Sequence, residues 1–251
     1  MMKVRRVHAK SILNRSKIFD YCINPFTGCQ IGCVYCYARL FMRRYSGHRE
    51  PWGKFVDVKV NASEILKKQL KTAKVGTIWI SSVCDPYQPL EAKFEVTRSC
   101  LKELVDKKFP INIQTKSNLV LRDVDLLQDF KTIEVGFTIT TDDEQIARYF
   151  EPGAPIISQR IDALAKLHAA GIQTYVFIGP LLPGNPSRLI ARLEGKVDRI
   201  MIDRMNYMQS IRGFYLKKGL QEATSDDFFR RYKESLILEI KKRNMDFEIL
   251  F

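Results

Sequence analysis

The chain has 251 residues, 45% hydrophobic and 27% charged, with 41 Lys plus Arg against 28 Asp plus Glu and a net charge of +13. This composition excludes a mainly disordered chain, and the length suits one α/β barrel better than two full domains, so a single domain over residues 1–251 is predicted. No apolar run approaches the ~20 residues that span a bilayer, and the basic N-terminus lacks an apolar signal core, so a cytoplasmic protein with no membrane partner is expected.

The first 54 residues carry 11 basic and 2 acidic side chains, so most of the excess charge is local. Aromatic residues interleave with the cations there (Phe41, Arg43, Arg44, Tyr45, Arg49, Trp52, Lys54), a composition suited to phosphate contacts beside stacking platforms for bases. The alternative is a solvated basic face that serves solubility.

Four of the six cysteines (Cys22, Cys29, Cys33, Cys36) fall within fifteen residues, and in a reducing compartment such clustering points to metal rather than disulfides. Cys29-Gln-Ile-Gly-Cys33-Val-Tyr-Cys36 places three thiols on one tight loop. Three thiolates holding a four-iron cube leave one iron open to a substrate-like ligand. Zinc is the alternative, with Cys22 as fourth thiolate, although the x6, x3, x2 spacing is uncommon for zinc.

Beyond this loop, strand-like and helix-like stretches alternate. Strands are predicted near 56–60, 77–82, 110–115, 133–140, 172–178 and 197–203, and helices near 62–73, 95–107, 123–129, 142–149, 157–170 and 226–243. Asn61 or Ser63, Ser158 and Ser225 stand as helix N-caps, and Gly171 as a left-handed C-terminal residue. The alternation implies parallel strands, and five or six such units make an open or partial barrel with its chemistry at the C-terminal strand ends. Those ends carry Ser81-Ser82 followed by Cys84 and Asp85, then Gln114-Thr115-Lys116, Thr138 to Thr140, and Gly179-Pro180. Each alone reads as an ordinary turn; together they ring the mouth that faces the cysteine loop.

These residues resemble the radical S-adenosylmethionine superfamily, whose signature is a CxxxCxxC loop with an aromatic beside the last cysteine, here Tyr35. Within it the chain most resembles the spore photoproduct lyase-like group, often labelled DNA repair photolyase. The matching pieces are Asn24-Pro25, Gly28-Cys29, Tyr35 to Ala38, Asp85 to Glu91, Thr115-Lys116, Arg122-Asp123, Phe150 to Gly153 and Arg160 to Ala163. The resemblance implies a partial (β/α)6 barrel with a basic N-terminal segment and a helical C-terminal extension. It also implies a [4Fe–4S] cluster on Cys29, Cys33 and Cys36, S-adenosylmethionine, and an electron donor such as a ferredoxin or flavodoxin.

By the same resemblance Tyr35 approaches the adenine, Ser82 and Lys116 hold the methionyl portion, Thr138 or Thr140 contacts the ribose, and Gly179 presents backbone to the adenine. Reductive cleavage of the cofactor then removes a hydrogen atom from a substrate. In the lesion lyase a cysteine at the end of the second strand returns one. Cys84 is the candidate here, displaced from the expected place, with Ser82 closer to it. Cys22 is ambiguous between an inward and a core position, and Cys100 reads as a small buried apolar residue. His8, His48 and His168 have no partners at ligand spacing.

Three functions compete. The first is a lyase-like radical enzyme acting on a base of DNA or RNA held by the N-terminal third. The second is the same chemistry on a peptide or small metabolite. The third is a non-catalytic metal-cluster module that binds nucleic acid.

Overall fold

The structure, a computed structural model, describes residues 2–250. Its strands in chain order are β1 (Lys3–Val7), β2 (Leu13–Arg15), β3 (Tyr21–Ile23), β4 (Phe26–Thr27), β5 (Phe55–Lys59), β6 (Ile78–Ile80), β7 (Ile111–Thr115), β8 (Ile133–Thr138), β9 (Gln173–Ile178), β10 (Arg199–Ile202) and β11 (Asp246–Ile249). The main sheet runs β11-β10-β9-β8-β7-β6-β3-β2. Every neighbouring pair in it is parallel except β2 with β3. Six parallel strands, β3 and β6 to β10, form the predicted partial barrel. The sheet is open, since among the described residues β2 and β11 do not pair.

Side chains alternate across each strand with a period of two. One face carries Ile78, Ile80, Ile111, Ile113, Ile133, Val135, Phe137, Val176, Ile178, Ile200 and Ile202, all buried in a core shared with Leu101, Leu104, Leu164, Leu167, Leu189 and Leu236 from the connecting helices. The opposite, inner face is polar and aromatic. In register across β7, β8, β9 and β10 lie Gln114, Gly136, Tyr175 and Arg199. Gly136 is required there because the Tyr175 ring crosses it; a Cβ would lie 2.0 Å from the ring. Tyr175 reaches Asn112 Oδ1 at 3.0 Å, and Arg199 holds Glu134 through two hydrogen bonds of 2.8 and 2.7 Å. These groups fill the lower inner face and leave the C-terminal strand ends as the open mouth.

Two expectations change. The strand predicted at 56–60 exists as β5, but it belongs to a separate small sheet, parallel to β1 and antiparallel to β4. The first barrel strand is β3, too short for alternation to reveal. The C-terminal extension has the helices Met208–Lys217 and Asp226–Lys242 but ends in β11, which adds a parallel strand beside β10. Ser225 caps its helix by accepting from Phe228 N at 3.1 Å, and Gly171 is left-handed at φ +77. Asn61 instead bonds the Ala9 backbone at 2.8 and 3.0 Å, and Ser158 lies inside the helix that starts at Ile157.

Candidate active site

The cysteine loop leaves β4 through Gly28, whose φ of +88 suits glycine and where a Cβ would strike the Phe55 carbonyl at 2.4 Å. Two segments clamp the loop. From one side Gln88 accepts from Gln30 N at 2.9 Å and donates to Gly28 O, while Gln30 accepts from Leu90 N at 2.7 Å. From the other, Gly153 N donates to Ile31 O and Val34 N to Phe150 O, at 2.9 and 2.8 Å. Any side chain at Gly153 would collide with Gln30 O at 2.3 Å. The Asp-Pro-Tyr-Gln-Pro and Phe-Glu-Pro-Gly segments therefore shape the loop that carries the thiols.

Cys29 and Cys33 are buried with Ile31, and Tyr35, Cys36, Trp52 and Cys84 pack around them. Burial pushes all three loop thiols up, Cys33 to about 12. A bound cation must offset that cost for them to ligate as thiolates. Among the described residues no three His, Cys, Asp or Glu side chains converge as a single metal ion needs. A four-iron cube asks less convergence, because it offers each thiol a separate corner. Cys22, on β3, accepts from Asn24 Nδ2 at 3.6 Å.

Asp85 ties the strand ends to this loop. Its carboxylate accepts from Thr115 Oγ1 at 2.7 Å, Lys116 N at 2.8 Å and Tyr87 N at 2.9 Å, and its own N–H donates to Cys29 Sγ at 3.4 Å. Lys116 thus leaves the end of β7 in a fixed direction, with Nζ 5.6 Å from the centre of the Tyr35 ring. Burial works against its charge, and the nearby Cys33 and Glu151 more than offset this, so its pKa rises. Among the described residues it has no ion-pair partner.

Glu151 and Arg160 form a buried pair behind Tyr35, at 2% and 1% exposure. Glu151 accepts from Arg160 Nη1 and the Tyr35 hydroxyl, and from Thr140 Oγ1 at 3.1 Å. Arg160 is further satisfied by Pro155 O at 2.8 Å and Thr138 O at 3.3 Å. Burial raises the Glu151 pKa, but Arg160 and Lys116 outweigh it and keep the carboxylate ionised. The two candidate threonines therefore differ: the Thr140 hydroxyl is committed to Glu151, whereas Thr138 stands on the inner face and accepts from Gln114 Nε2 at 3.0 Å.

Ser82 is half-buried at the end of β6. Asn24 Oδ1 accepts from Ser81 Oγ, Ser82 N and Val83 N at 2.9, 2.9 and 3.0 Å, and Asn24 Nδ2 donates to Ser82 Oγ at 3.1 Å. The Ser82 carbonyl accepts from the Tyr37 hydroxyl. Gly179 ends β9 where a Cβ would meet the Phe177 ring at 2.4 Å and Asp203 Cβ at 3.0 Å. Cys84, the candidate hydrogen donor, is half-buried. Its thiol contacts Ser81 Oγ at 2.8 Å and Phe26 O at 3.5 Å and packs against the cysteine loop. Cys100 is fully buried.

Residues 23–191 match the family described as the radical SAM superfamily. The chain belongs to that superfamily. It is 36% identical to an uncharacterized protein of Methanocaldococcus jannaschii, over 97% of this chain and 95% of that one. Its fold is similar to that of spore photoproduct lyase complexed with dinucleoside spore photoproduct, at a TM-score of 0.71 and 16% identity, covering 99% of this chain and 82% of that one. It is also similar to Streptococcus suis SuiB bound to the precursor peptide SuiA, at a TM-score of 0.61 and 16% identity, covering 92% and 48%. The superfamily uses a [4Fe–4S] cluster and S-adenosylmethionine, and these are the cofactors of this chain. The residues present fit them: three soft donors on one clamped loop, and beside them a lysine ammonium that makes no salt bridge among the described residues.

Sequence reading left Asp85, Asn24, Gln88, Glu151 and Arg160 without roles, though each lies in or beside a matching piece. Their signal is chemical: Asn24, Asp85, Gln88 and Glu151 are charged or amide side chains beside prolines, and Arg160 is a cation on an otherwise apolar helix face.

Proposed function

We propose that this radical SAM protein is a lyase-like enzyme that removes a hydrogen atom from a base of DNA or RNA, as in the repair of a lesion. When bound and reduced by a donor such as a ferredoxin or flavodoxin, the cofactors supply a 5′-deoxyadenosyl radical, which carries the hard chemical step. The chain's own part is ligation and orientation. Cys29, Cys33 and Cys36 hold three irons and leave the fourth open. Lys116 takes the cofactor carboxylate, with Ser82 beside the methionyl end. Thr138 reaches the ribose from the inner face, and Tyr35 and Gly179 border the adenine. Asp85, Glu151 and Arg160 fix the directions of Lys116 and Tyr35, and Cys84 supports the loop.

The observation that carries the substrate reading is the segment just after the cysteine loop. Arg43, Arg44 and Arg49 are exposed there beside exposed Tyr45, and among the described residues none of the three makes an ion pair. Exposed, unpaired guanidinium groups on the segment that follows the cysteine loop suit a phosphate backbone. The likeness in fold to a lyase solved with a dinucleoside ligand supports the same reading.

The test is deuterium transfer. Nucleic acid labelled on its bases, incubated with the reduced cluster-loaded protein and S-adenosylmethionine, is expected to place label in 5′-deoxyadenosine. Label arriving from a peptide or small metabolite instead, with none from nucleic acid, would replace this reading.

A further inference from the structure

Four aromatic rings run from the surface to the mouth of the sheet. Tyr45 meets Phe41 edge-on at 6.0 Å, Phe41 meets Tyr37 at 5.9 Å, and Tyr37 stacks on Tyr207 at 6.3 Å with the planes only 22° apart. Tyr207 lies more than 160 residues along the chain, in the turn after β10, and its arrival is fixed from both sides. Arg39 donates to Ser210 O at 2.9 Å and to Ser210 Oγ at 3.1 Å, joining helix Met208–Lys217 to the turn after the cysteine loop. Tyr37 is anchored through its hydroxyl to the Ser82 carbonyl.

A cluster that served only packing would be buried, but Tyr45 is 79% and Tyr207 47% exposed. Arg43 and Arg44 lie on the turn of helix between Phe41 and Tyr45, Arg49 follows on the same segment, and Arg212 lies on the helix that Tyr207 precedes; all four are exposed and, among the described residues, without ion pairs. Acidic groups nearby are engaged elsewhere: Glu50 with His48, and Asp203 with Asn206.

We propose that Tyr45, Phe41, Tyr37 and Tyr207 form a stacking track for single-stranded or extrahelical nucleic acid, with the exposed rings of Tyr45 and Tyr207 as its base platforms. The inference rests on the nucleic-acid reading above and adds the strand form and the residues that select it. The Tyr45 and Tyr207 rings are exposed and free to take a base on an open face. In a duplex both faces of a base are covered by its neighbours, so rings can take a base only from a single strand or after flipping. Guanidinium groups beside rings supply the sequence-independent phosphate contacts that such binding uses.

The experiment is a fluorescence-anisotropy titration of the cluster-loaded protein with a labelled single-stranded oligonucleotide and with its duplex, at several salt concentrations. Wild type is expected to prefer the single strand. Tyr207→Ala should lower single-strand affinity about 5- to 150-fold, corresponding to about 1–3 kcal/mol per stacked base, and leave duplex affinity and the salt dependence unchanged. Tyr207→Phe should bind like wild type, because the ring suffices. Arg43→Gln with Arg44→Gln should flatten the salt slope by about 0.7 per lost contact and keep the strand preference. Wild-type single-strand affinity in Tyr207→Ala, or equal affinity for duplex, would overturn the track while the nucleic-acid reading stands. No binding of any nucleic acid at low salt would overturn both. The cluster absorbance of each variant shows that the fold is kept.

Discussion

Lys116 Nζ lies 5.6 Å from the centre of the Tyr35 ring, against the cysteine loop, and no carboxylate among the described residues pairs with it. Its direction is imposed by Asp85, which holds the Lys116 N–H at 2.8 Å and the Thr115 hydroxyl at 2.7 Å. Glu151 stabilises this charge from a distance, and the ammonium, in no direct salt bridge, is free to take the carboxylate of a ligand.

Removing that charge should weaken cofactor binding and spare the cluster. Lys116→Ala is expected to lose about 2–4 kcal/mol of S-adenosylmethionine affinity, read by equilibrium dialysis, with the cluster absorbance unchanged. Unaltered affinity would remove Lys116 from the site.

Cluster content should separate the cysteines by position. Alanine at Cys29, Cys33 or Cys36 is expected to abolish the brown four-iron species, whereas Cys22→Ala and Cys84→Ala keep it. Iron and sulfide analysis after anaerobic purification decides this, and loss of the cluster in Cys22→Ala would point back to a fourth thiolate.

The buried Glu151–Arg160 pair predicts a stability effect apart from any cofactor. Glu151→Gln leaves the Arg160 guanidinium, 1% exposed, without its countercharge. A loss of about 3–5 kcal/mol in denaturant unfolding of the apo chain is expected. A change below about 1 kcal/mol would mean that the pair is dispensable.

Asp57 predicts part of the acid limb. Burial raises its pKa, but hydrogen bonds from Arg5, at 2.6 and 2.8 Å, and from His48, at 2.9 Å, outweigh that and lower it. A folded pKa below the unfolded value stabilises the protein above the unfolded pKa of about 3.9 and loses that contribution as pH falls through the folded pKa. Asp57→Asn should therefore destabilise the protein at pH 7, with the difference from wild type shrinking below pH 4. A constant difference across that range would contradict the assignment.

The main strands were legible because their apolar faces repeat with period two and end in polar residues, as at Ile111 to Lys116. The cluster ligands were legible because three thiols on one loop have few other uses. β3 was not, since Tyr21–Ile23 is three residues long and buried throughout, so it shows no alternation. The β5 sequence reads as a barrel strand because it too is almost wholly buried, and only pairing assigns it to the small sheet. His48 shows no ligand spacing in sequence, and the structure places it between Glu50 and Asp57 in a buried network. Long-range partners such as Tyr37 and Tyr207 leave no local pattern at all.

The most direct measurement is 5′-deoxyadenosine formation by protein reconstituted anaerobically with iron and sulfide, then given dithionite and S-adenosylmethionine, with and without a single-stranded oligonucleotide. The account predicts formation that needs Cys29, Cys33 and Cys36, weakens in Lys116→Ala and rises when the oligonucleotide is present. No 5′-deoxyadenosine from cluster-replete protein, with or without nucleic acid, would contradict it.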